Sequence, residues 1–272
     1  MSARLVIEAG RTERQYWRDL WHYRELFYFL AWRDFLIRYK QTAVGVLWSL
    51  IRPLLTMLVL LMVQRFGNLP TGGVPGPLFL FAALLPWQFF SVALSEAGNS
   101  LVNNANLISK IYFPRLVVPT SSAIVCLVDF IISSALLALL MLYYRFLPPM
   151  QVVLLPFFLL LVFASSFGAG LWISALMVKY RDFRFIVPFV VQFGLYASPI
   201  VLMTASVPER WRMLYSLNPV VGIIDGFRWS LLGRENLIYW PGLAVSIVVV
   251  TLLLWSGLWY FRKTERTFAD VI

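Results

Sequence analysis

Charged side chains are scarce in this sequence. Only 13% of its 272 residues are charged, whereas 60% are hydrophobic and the mean hydropathy is +0.77. A soluble domain averages about 25% charged residues, so this chain has too few charges to cover a water-facing surface. The composition therefore excludes a soluble globular enzyme. It also excludes disorder, which requires low hydrophobicity.

Catalytic and metal-binding residues are equally scarce. Cys126 is the single cysteine and His22 the single histidine, so neither a disulfide framework nor a CxxC metal pattern is present. The phosphate-binding pattern GxxxxGK[ST] and the catalytic patterns HExxH and GxSxG are absent as well. We therefore expect no catalytic residue, no metal and no cofactor in this chain. Uphill transport would draw its energy from a partner ATPase, or from an ion gradient acting through Asp129.

Long apolar runs dominate the rest of the sequence. A helix needs about 20 mostly apolar residues to cross a bilayer, where it satisfies its own backbone hydrogen bonds. Six segments reach that length, at 44–66, 78–97, 117–144, 151–178, 185–203 and 237–261. The sequence therefore predicts an all-α integral membrane protein, with a cytoplasmic arm over 1–43 and a six-helix transmembrane domain over 44–272.

The basic residues indicate how this bundle is oriented. The arm, two loops and the C-terminal tail on one side carry 16 Lys and Arg residues, and the connections on the other side carry 5. Cytoplasmic loops of membrane proteins are enriched in these residues, so both termini are expected in the cytoplasm. The isoelectric point of about 10.0 is then an orientation signal, and no nucleic-acid partner is expected.

Two cytoplasmic segments are candidates for binding a partner. Thr12 and Gln15 match a capping box, which predicts an amphipathic helix from about Glu13 in the membrane interface. That helix is either a passive anchor or a mobile collar that meets a partner. The loop 99–119 predicts a short helix, which is either an ordinary connector or a plug for a groove on another subunit. The candidate docking residues are Asn103, Leu107, Ile108, Lys110, Ile111, Tyr112, Arg18 and Glu25.

The segment 204–236 predicts re-entrant half-helices between the fifth and sixth spans. One half-helix begins near Pro208 and the other ends at Gly233, with a break at Asn218-Pro219. Each piece is about 10 to 13 residues long, too short to cross a bilayer. The arginines would bind an acidic polymer, lipid phosphate or Glu209. The candidate outer-gate residues are Arg210, Arg212, Asn218, Pro219 and Arg228.

Charged and aromatic residues inside the spans indicate a path through the bundle. Arg52 and Asp129 are a hypothetical ion pair, because intramembrane charges usually face a bundle interior or a water-filled path. The alternative is that Arg52 extends to the interface. Aromatic faces along such a path could stack on sugar rings. The candidate path residues are Trp48, Arg52, Trp87, Phe90, Asp129, Trp172 and Tyr196. The small residues over 168–170 predict close helix packing, either within the bundle or in a dimer.

Several motifs resemble those of the ABC-2 type export permeases. IRYKQTAVGVLW at 37–48, followed by Pro53, is similar to the start of that family's first span, and VKYRD at 178–182 to the end of its fourth. The order of YASPI at 196–200, VPE at 207–209, LNP at 217–219, FR at 227–228 and LLG at 231–233 resembles the branch that exports polysaccharide and teichoic acid. That branch usually has Tyr where this chain has Phe227, so no hydroxyl role is expected at that position.

The resemblance implies a homodimer that works with two copies of a nucleotide-binding ATPase, and that ATPase would hold ATP and Mg²⁺. It implies a lipid-linked polysaccharide as cargo and the bacterial inner membrane as the location. Membrane lipid and a periplasmic co-polymerase or outer-membrane export apparatus are further expected partners. A capsule polysaccharide is favoured because the chain lacks an added domain, with O-antigen next and wall teichoic acid after it. The open alternatives are an exporter of small lipids or drugs, an integral-membrane glycosyl- or acyltransferase, and a proton-coupled carrier.

Overall fold

Long apolar helices make up most of the protein. The computed structural model describes residues 13–40, 45–111, 113–180 and 182–268. Five of the helices in these residues are long and apolar enough to cross a membrane. They are α3 (Gly45–Phe66), α4 (Gly76–Asn103), α6 (Val117–Tyr143), α7 (Leu155–Lys179) and α11 (Trp240–Thr264). The prediction of an all-α, multi-pass membrane protein is therefore confirmed.

The predicted fifth span is shorter than the sequence indicated. Its helix α8 (Phe183–Tyr196) has 14 residues, which is about 21 Å at 1.5 Å per residue against a hydrocarbon core of about 30 Å. The prediction that this span reaches Met203 is wrong. The chain leaves the helix after Tyr196, because Pro199 cannot donate a helical hydrogen bond. The count of six spanning helices stays a prediction.

Short helices complete both ends of the bundle. Two of them, α1 (Glu13–His22) and α2 (Arg24–Tyr39), lie before the first span, and α5 (Ala105–Lys110) follows α4. After α8 come α9 (Glu209–Tyr215) and α10 (Pro219–Leu232), which are the two half-helices that the sequence predicts. Helix α1 begins at Glu13 as expected, and the arm turns at Tyr23 before α2.

Helix α4 lies at the centre of the fold. It packs most extensively against α7 and α6, and it also contacts α3 and α10. Leu78, Phe79, Phe81 and Leu84 on this helix are at most 1% exposed, because neighbouring helices cover it on all sides. A central position for α4 leaves α3 and α8 at the edge of the bundle, where they border the cavity described below.

Glycines bring the backbones of α7 and α11 close together. A Cβ on Gly168 would lie 2.7 Å from the Leu254 Cα, and a Cβ on Gly257 would collide with the Gly168 carbonyl. A Cβ on Gly170 would lie 2.7 Å from the Ala97 side chain. Close approach of this kind needs glycine. The small residues over 168–170 therefore serve packing within the bundle.

Candidate functional sites

A cavity of about 710 Å³ lies between α2, α3, α4, α6 and α8. Five of the seven candidate path residues line it. Trp48 is 59% exposed, whereas Trp87 is 4% exposed because it is covered by Gly194 of α8. The cavity wall therefore combines aromatic faces with charged and polar side chains. The path residues on it are Trp48, Arg52, Trp87, Asp129 and Tyr196.

The other two candidate path residues lie elsewhere. Phe90 is buried beside Trp87, with 5.7 Å between ring centroids, and is not part of the cavity wall. Trp172 stacks on Tyr260 of α11 at 4.1 Å, and its indole N–H donates to Ser256 at 3.1 Å. Trp172 therefore joins α7 to α11 and does not face the cavity.

Asp129 is paired with a residue of the N-terminal arm. Its carboxylate accepts hydrogen bonds from Arg38 at 2.8 Å, from Tyr39 at 2.5 Å and from Ser49 at 2.6 Å. The second guanidinium nitrogen of Arg38 donates to Glu96 of α4. The hypothetical pair of Arg52 and Asp129 is therefore wrong. Sequence reasoning missed Arg38 because it treated 1–43 as an arm outside the bundle, although Arg38 belongs to the stretch that carries the family resemblance.

A second, polar cavity of about 470 Å³ lies on the cytoplasmic side of this ion pair. In it, the Arg33 guanidinium donates to Asn104 at 2.7 Å and the Ser122 hydroxyl donates to Asp34 at 3.3 Å. Asn103 also lines this cavity and is exposed. Both cavities are bordered by the Arg38 and Glu96 side chains.

The turn between α8 and α10 is held by Asn218. Its side-chain oxygen accepts from the Val220 N–H at 3.1 Å and so caps α10, whose first residue is Pro219. Its amide nitrogen donates to the Ala197 carbonyl at 3.2 Å, at the end of α8. Helix α10 stops at Gly233, with φ of +67°, a left-handed conformation that glycine adopts without strain. These local signals place the half-helix where the sequence predicts it.

Arg228 lies in the interior and not at an open mouth. It is 1% exposed and its guanidinium lies 3.7 Å from the Phe79 ring centroid. It donates to the carbonyls of Phe79 at 3.2 Å, of Pro199 at 2.5 Å and of Leu202 at 3.1 Å, and to that of Ile200. The expectation that Arg228 meets an anionic cargo is therefore wrong for this conformation. The side chain instead holds the turn after α8 against α4.

The two arginines of α9 differ in the same way. Arg212 donates to the carbonyls of Ala205 and Val207, each at 3.0 Å, and so stabilises the turn before α9. Arg210 is exposed, and its guanidinium lies 5.7 Å from the Trp211 ring centroid. Of the three predicted gate arginines, Arg210 is the one whose charge faces outward.

Comparison with known proteins agrees with this architecture. A family model described as ABC-2 type transporter matches residues 25–232. The chain belongs to the ABC-2 type transporter family. It is 28% identical over 258 residues to the O-antigen export system permease protein RfbA of Myxococcus xanthus, which covers 94% of this chain and 98% of that protein. Two RfbA proteins of Klebsiella pneumoniae are 24% and 25% identical, each covering 88% of this chain and 92% of the relative.

The cytoplasmic end of this ABC-2 chain is closed by a hydrophobic cluster. Leu30 of α2, Ile108 of α5, and Phe261 and Phe268 near the C-terminus are each at most 3% exposed and belong to one cluster. Ile108 therefore packs inward, and its predicted role as a docking contact is wrong for this conformation. Leu107 is half-buried against the same cluster.

The remaining docking candidates lie on the surface of the ABC-2 chain. Ile111 is 56% exposed, which is unusual for an isoleucine that directly follows a short cytoplasmic helix. Tyr112 lies outside the described residues. The other exposed candidates are Arg18, Glu25, Asn103 and Lys110.

Glu265 joins the arm, the α5–α6 loop and the C-terminal end. Its carboxylate accepts from the Arg115 backbone N–H at 2.8 Å, and the Arg115 guanidinium donates to the Glu265 carbonyl. The neighbouring Tyr16 ring lies 4.6 Å from the Arg262 guanidinium. Burial raises the pKa of Glu265 above its ordinary value, because desolvation outweighs the hydrogen bonds from Arg115 and Tyr16.

Proposed function

We propose that this chain is the permease subunit of an ATP-driven exporter that moves a lipid-linked polysaccharide outward across the bacterial inner membrane. The observation that carries the proposal is the 710 Å³ cavity, because its wall suits carbohydrate. Sugar rings have apolar faces that stack on aromatic side chains such as Trp48. Their hydroxyls pair with planar polar groups such as Arg52 and Gln192, which line the same cavity.

The relatives support a polysaccharide as the cargo. Three of them are named O-antigen export system permeases and align along 88% or more of this chain. We therefore place O-antigen ahead of capsule polysaccharide, which the sequence alone favours. A periplasmic or outer-membrane export apparatus remains a predicted partner.

A partner ATPase supplies the energy in this proposal. The chain lacks the phosphate-binding pattern, and its exposed cytoplasmic residues on α1, α2 and α5 offer a surface for such a partner. We propose that two copies of this chain and two copies of the ATPase form the exporter. Both termini then lie in the cytoplasm, as the distribution of Lys and Arg predicts.

A pair of tryptophan substitutions tests the role of the cavity. Trp48 faces the cavity, whereas Trp255 of α11 is 67% exposed on a helix that does not border it. In a deletion strain that carries each variant, Trp48→Ala should reduce surface polysaccharide several-fold at equal membrane abundance. Trp255→Ala, which removes the same side chain from a lipid-facing position, should leave surface polysaccharide unchanged. Equal export by both variants would contradict the assignment of the cavity as the cargo path.

Loss-of-function phenotypes separate the alternative functions. A deletion strain that keeps its surface polysaccharide but becomes sensitive to drugs or small lipids would favour the small-molecule exporter. Copurification of the chain with an ATPase that carries a phosphate loop is expected, and the gene for that ATPase should lie beside this one. Wild-type export by Asp129→Asn would exclude the proton-coupled carrier that depends on this carboxylate. An unaltered sugar or acyl composition in the deletion strain would exclude the transferase.

A further inference from the structure

Helix α2 is attached to the bundle along a polar seam. Leu30, Asp34 and Arg38 are spaced by four residues and share one face of α2. Leu30 enters the hydrophobic cytoplasmic cluster, whereas Asp34 accepts from Ser122 of α6 at 3.3 Å. Towards the membrane, contact is made by hydrogen bonds and ion pairs, and Arg38 is the last of these. The attachment of α2 to α4 and α6 therefore becomes increasingly polar as it approaches the cavity.

Arg38 stands between the two cavities. The cytoplasmic cavity and the larger cavity in the bundle have two lining residues in common, Arg38 and Glu96. Arg38 extends from α2 to Glu96 on α4 and to Asp129 on α6. One side chain thereby bridges both helices at the point where the cavities meet.

We propose that Arg38 is a releasable latch, whose ion pairs with Glu96 and Asp129 hold α2 closed over the junction of the two cavities. When these pairs break, α2 moves away from α4 and α6, and the polar cytoplasmic cavity joins the cavity in the bundle. The functional meaning of this opening rests on the proposed function, in which a partner acts on the cytoplasmic helices. The existence of the latch does not depend on the cargo.

Solvent exposure makes this ion pair releasable. The side chains of Arg38, Glu96 and Asp129 are 25%, 41% and 25% exposed. Partly exposed ion pairs contribute little to stability, because water replaces the lost contacts when they separate. A planar guanidinium that binds two carboxylates is still a specific connection, which lysine cannot reproduce. The geometry therefore suits a contact that closes in one position and opens at low cost.

The chain contains its own reporter for this opening. Cys126 is the single cysteine; it lines the cavity wall and is 1% exposed. Its thiol is a hydrogen-bonding neighbour of the Arg38 guanidinium. Movement of Arg38 and α2 would expose this thiol to water, so its rate of modification measures how often the latch opens.

Thiol labelling of the purified full-length chain in lipid nanodiscs tests the proposal. A membrane-impermeant maleimide should react slowly with wild-type Cys126. Arg38→Ala should raise the rate about tenfold, because two partly exposed ion pairs are lost together. Glu96→Gln keeps the shape of its side chain and should raise the rate by a smaller factor. Lys40→Ala is the matched control, since it removes an exposed positive charge from the end of the same helix and should leave the rate unchanged.

A double variant separates the latch from general loosening of the fold. Arg38→Ala combined with Glu96→Gln should label no faster than Arg38→Ala alone, because both changes break one interaction. Additive rates, or a wild-type rate in both single variants, would overturn the proposal. If Arg38→Ala does not fold, Asp129→Asn and Glu96→Gln must each raise the rate for the latch to stand. Failure of polysaccharide export with normal labelling results would instead count against the proposed function alone.

Discussion

Replacing Arg228 by methionine removes a guanidinium that four backbone carbonyls share. These belong to Phe79, Pro199, Ile200 and Leu202, so the substitution affects both α4 and the turn after α8. Methionine retains the volume of the aliphatic stem, and the loss is therefore mainly polar. Each buried carbonyl left without a partner costs about 1–3 kcal/mol, and the losses are not additive. Removal of one member of a buried charged network typically costs about 3–5 kcal/mol, and we expect Arg228→Met to fall in that range.

Unfolding of the purified protein measures this loss. In mixed micelles titrated with SDS, Arg228→Met should unfold at a lower SDS fraction than wild type, and Arg228→Lys should lie between them because its ammonium reaches fewer carbonyls. Arg210→Met is the matched control, since Arg210 is exposed and surface substitutions usually change stability by at most about 0.5 kcal/mol. If Arg228→Met unfolds together with the Arg210→Met control, the reasoning about the buried guanidinium is wrong.

Three further substitutions test other parts of the structure. Gly168→Val should destabilise the α7–α11 crossing by about 1–3 kcal/mol, measured in the same unfolding assay, because its Cβ would meet the Leu254 backbone at 2.7 Å. Glu265→Gln should weaken the pH dependence of thermal stability. The raised pKa of Glu265 means that wild-type stability is full below the unfolded value of about 4.3 and falls as pH rises towards the folded value. Ile111→Asp should reduce copurification of the partner ATPase without lowering the melting temperature, because Ile111 is 56% exposed.

Each of these three predictions has its own control. Ala169→Val, one residue from Gly168, should be tolerated better, because position 169 is only partly buried; equal destabilisation would contradict the crossing argument. A pH slope in Glu265→Gln as steep as in wild type would remove Glu265 as its source. Ile108→Asp should lower the melting temperature because Ile108 is 3% exposed. ATPase binding that survives Ile111→Asp would exclude this position from the docking surface.

The spans and the half-helices could be predicted because their signals are local. An apolar run of sufficient length specifies a spanning helix wherever it occurs in a chain. Asn218-Pro219 and Gly233 similarly mark the start and end of α10 through side-chain capping and a left-handed backbone. Neither inference needs knowledge of the neighbouring helices.

The ends and partners of these elements depend on distant residues and could not be predicted in this way. The apolar residues after Pro199 continue the pattern of the fifth span, yet their carbonyls are bound by Arg228, almost 30 positions further along the chain. The partner of Asp129 lies 91 positions away in Arg38. Hydropathy describes how much apolar surface a segment has, but it does not say which helix covers it.

Arg38 and Arg228 show how burial divides this protein into fixed and movable parts. Both are arginines that bind groups from two other segments, and the sequence alone does not distinguish them. Arg228 is 1% exposed, so its release would leave a charge and several carbonyls without water, which makes α10 and the turn after α8 a fixed unit with α4. The Arg38 side chain is 25% exposed, and water can replace its partners as they separate. Conformational change between the cytoplasm and the cavity is therefore expected at α2, while α10 remains in place.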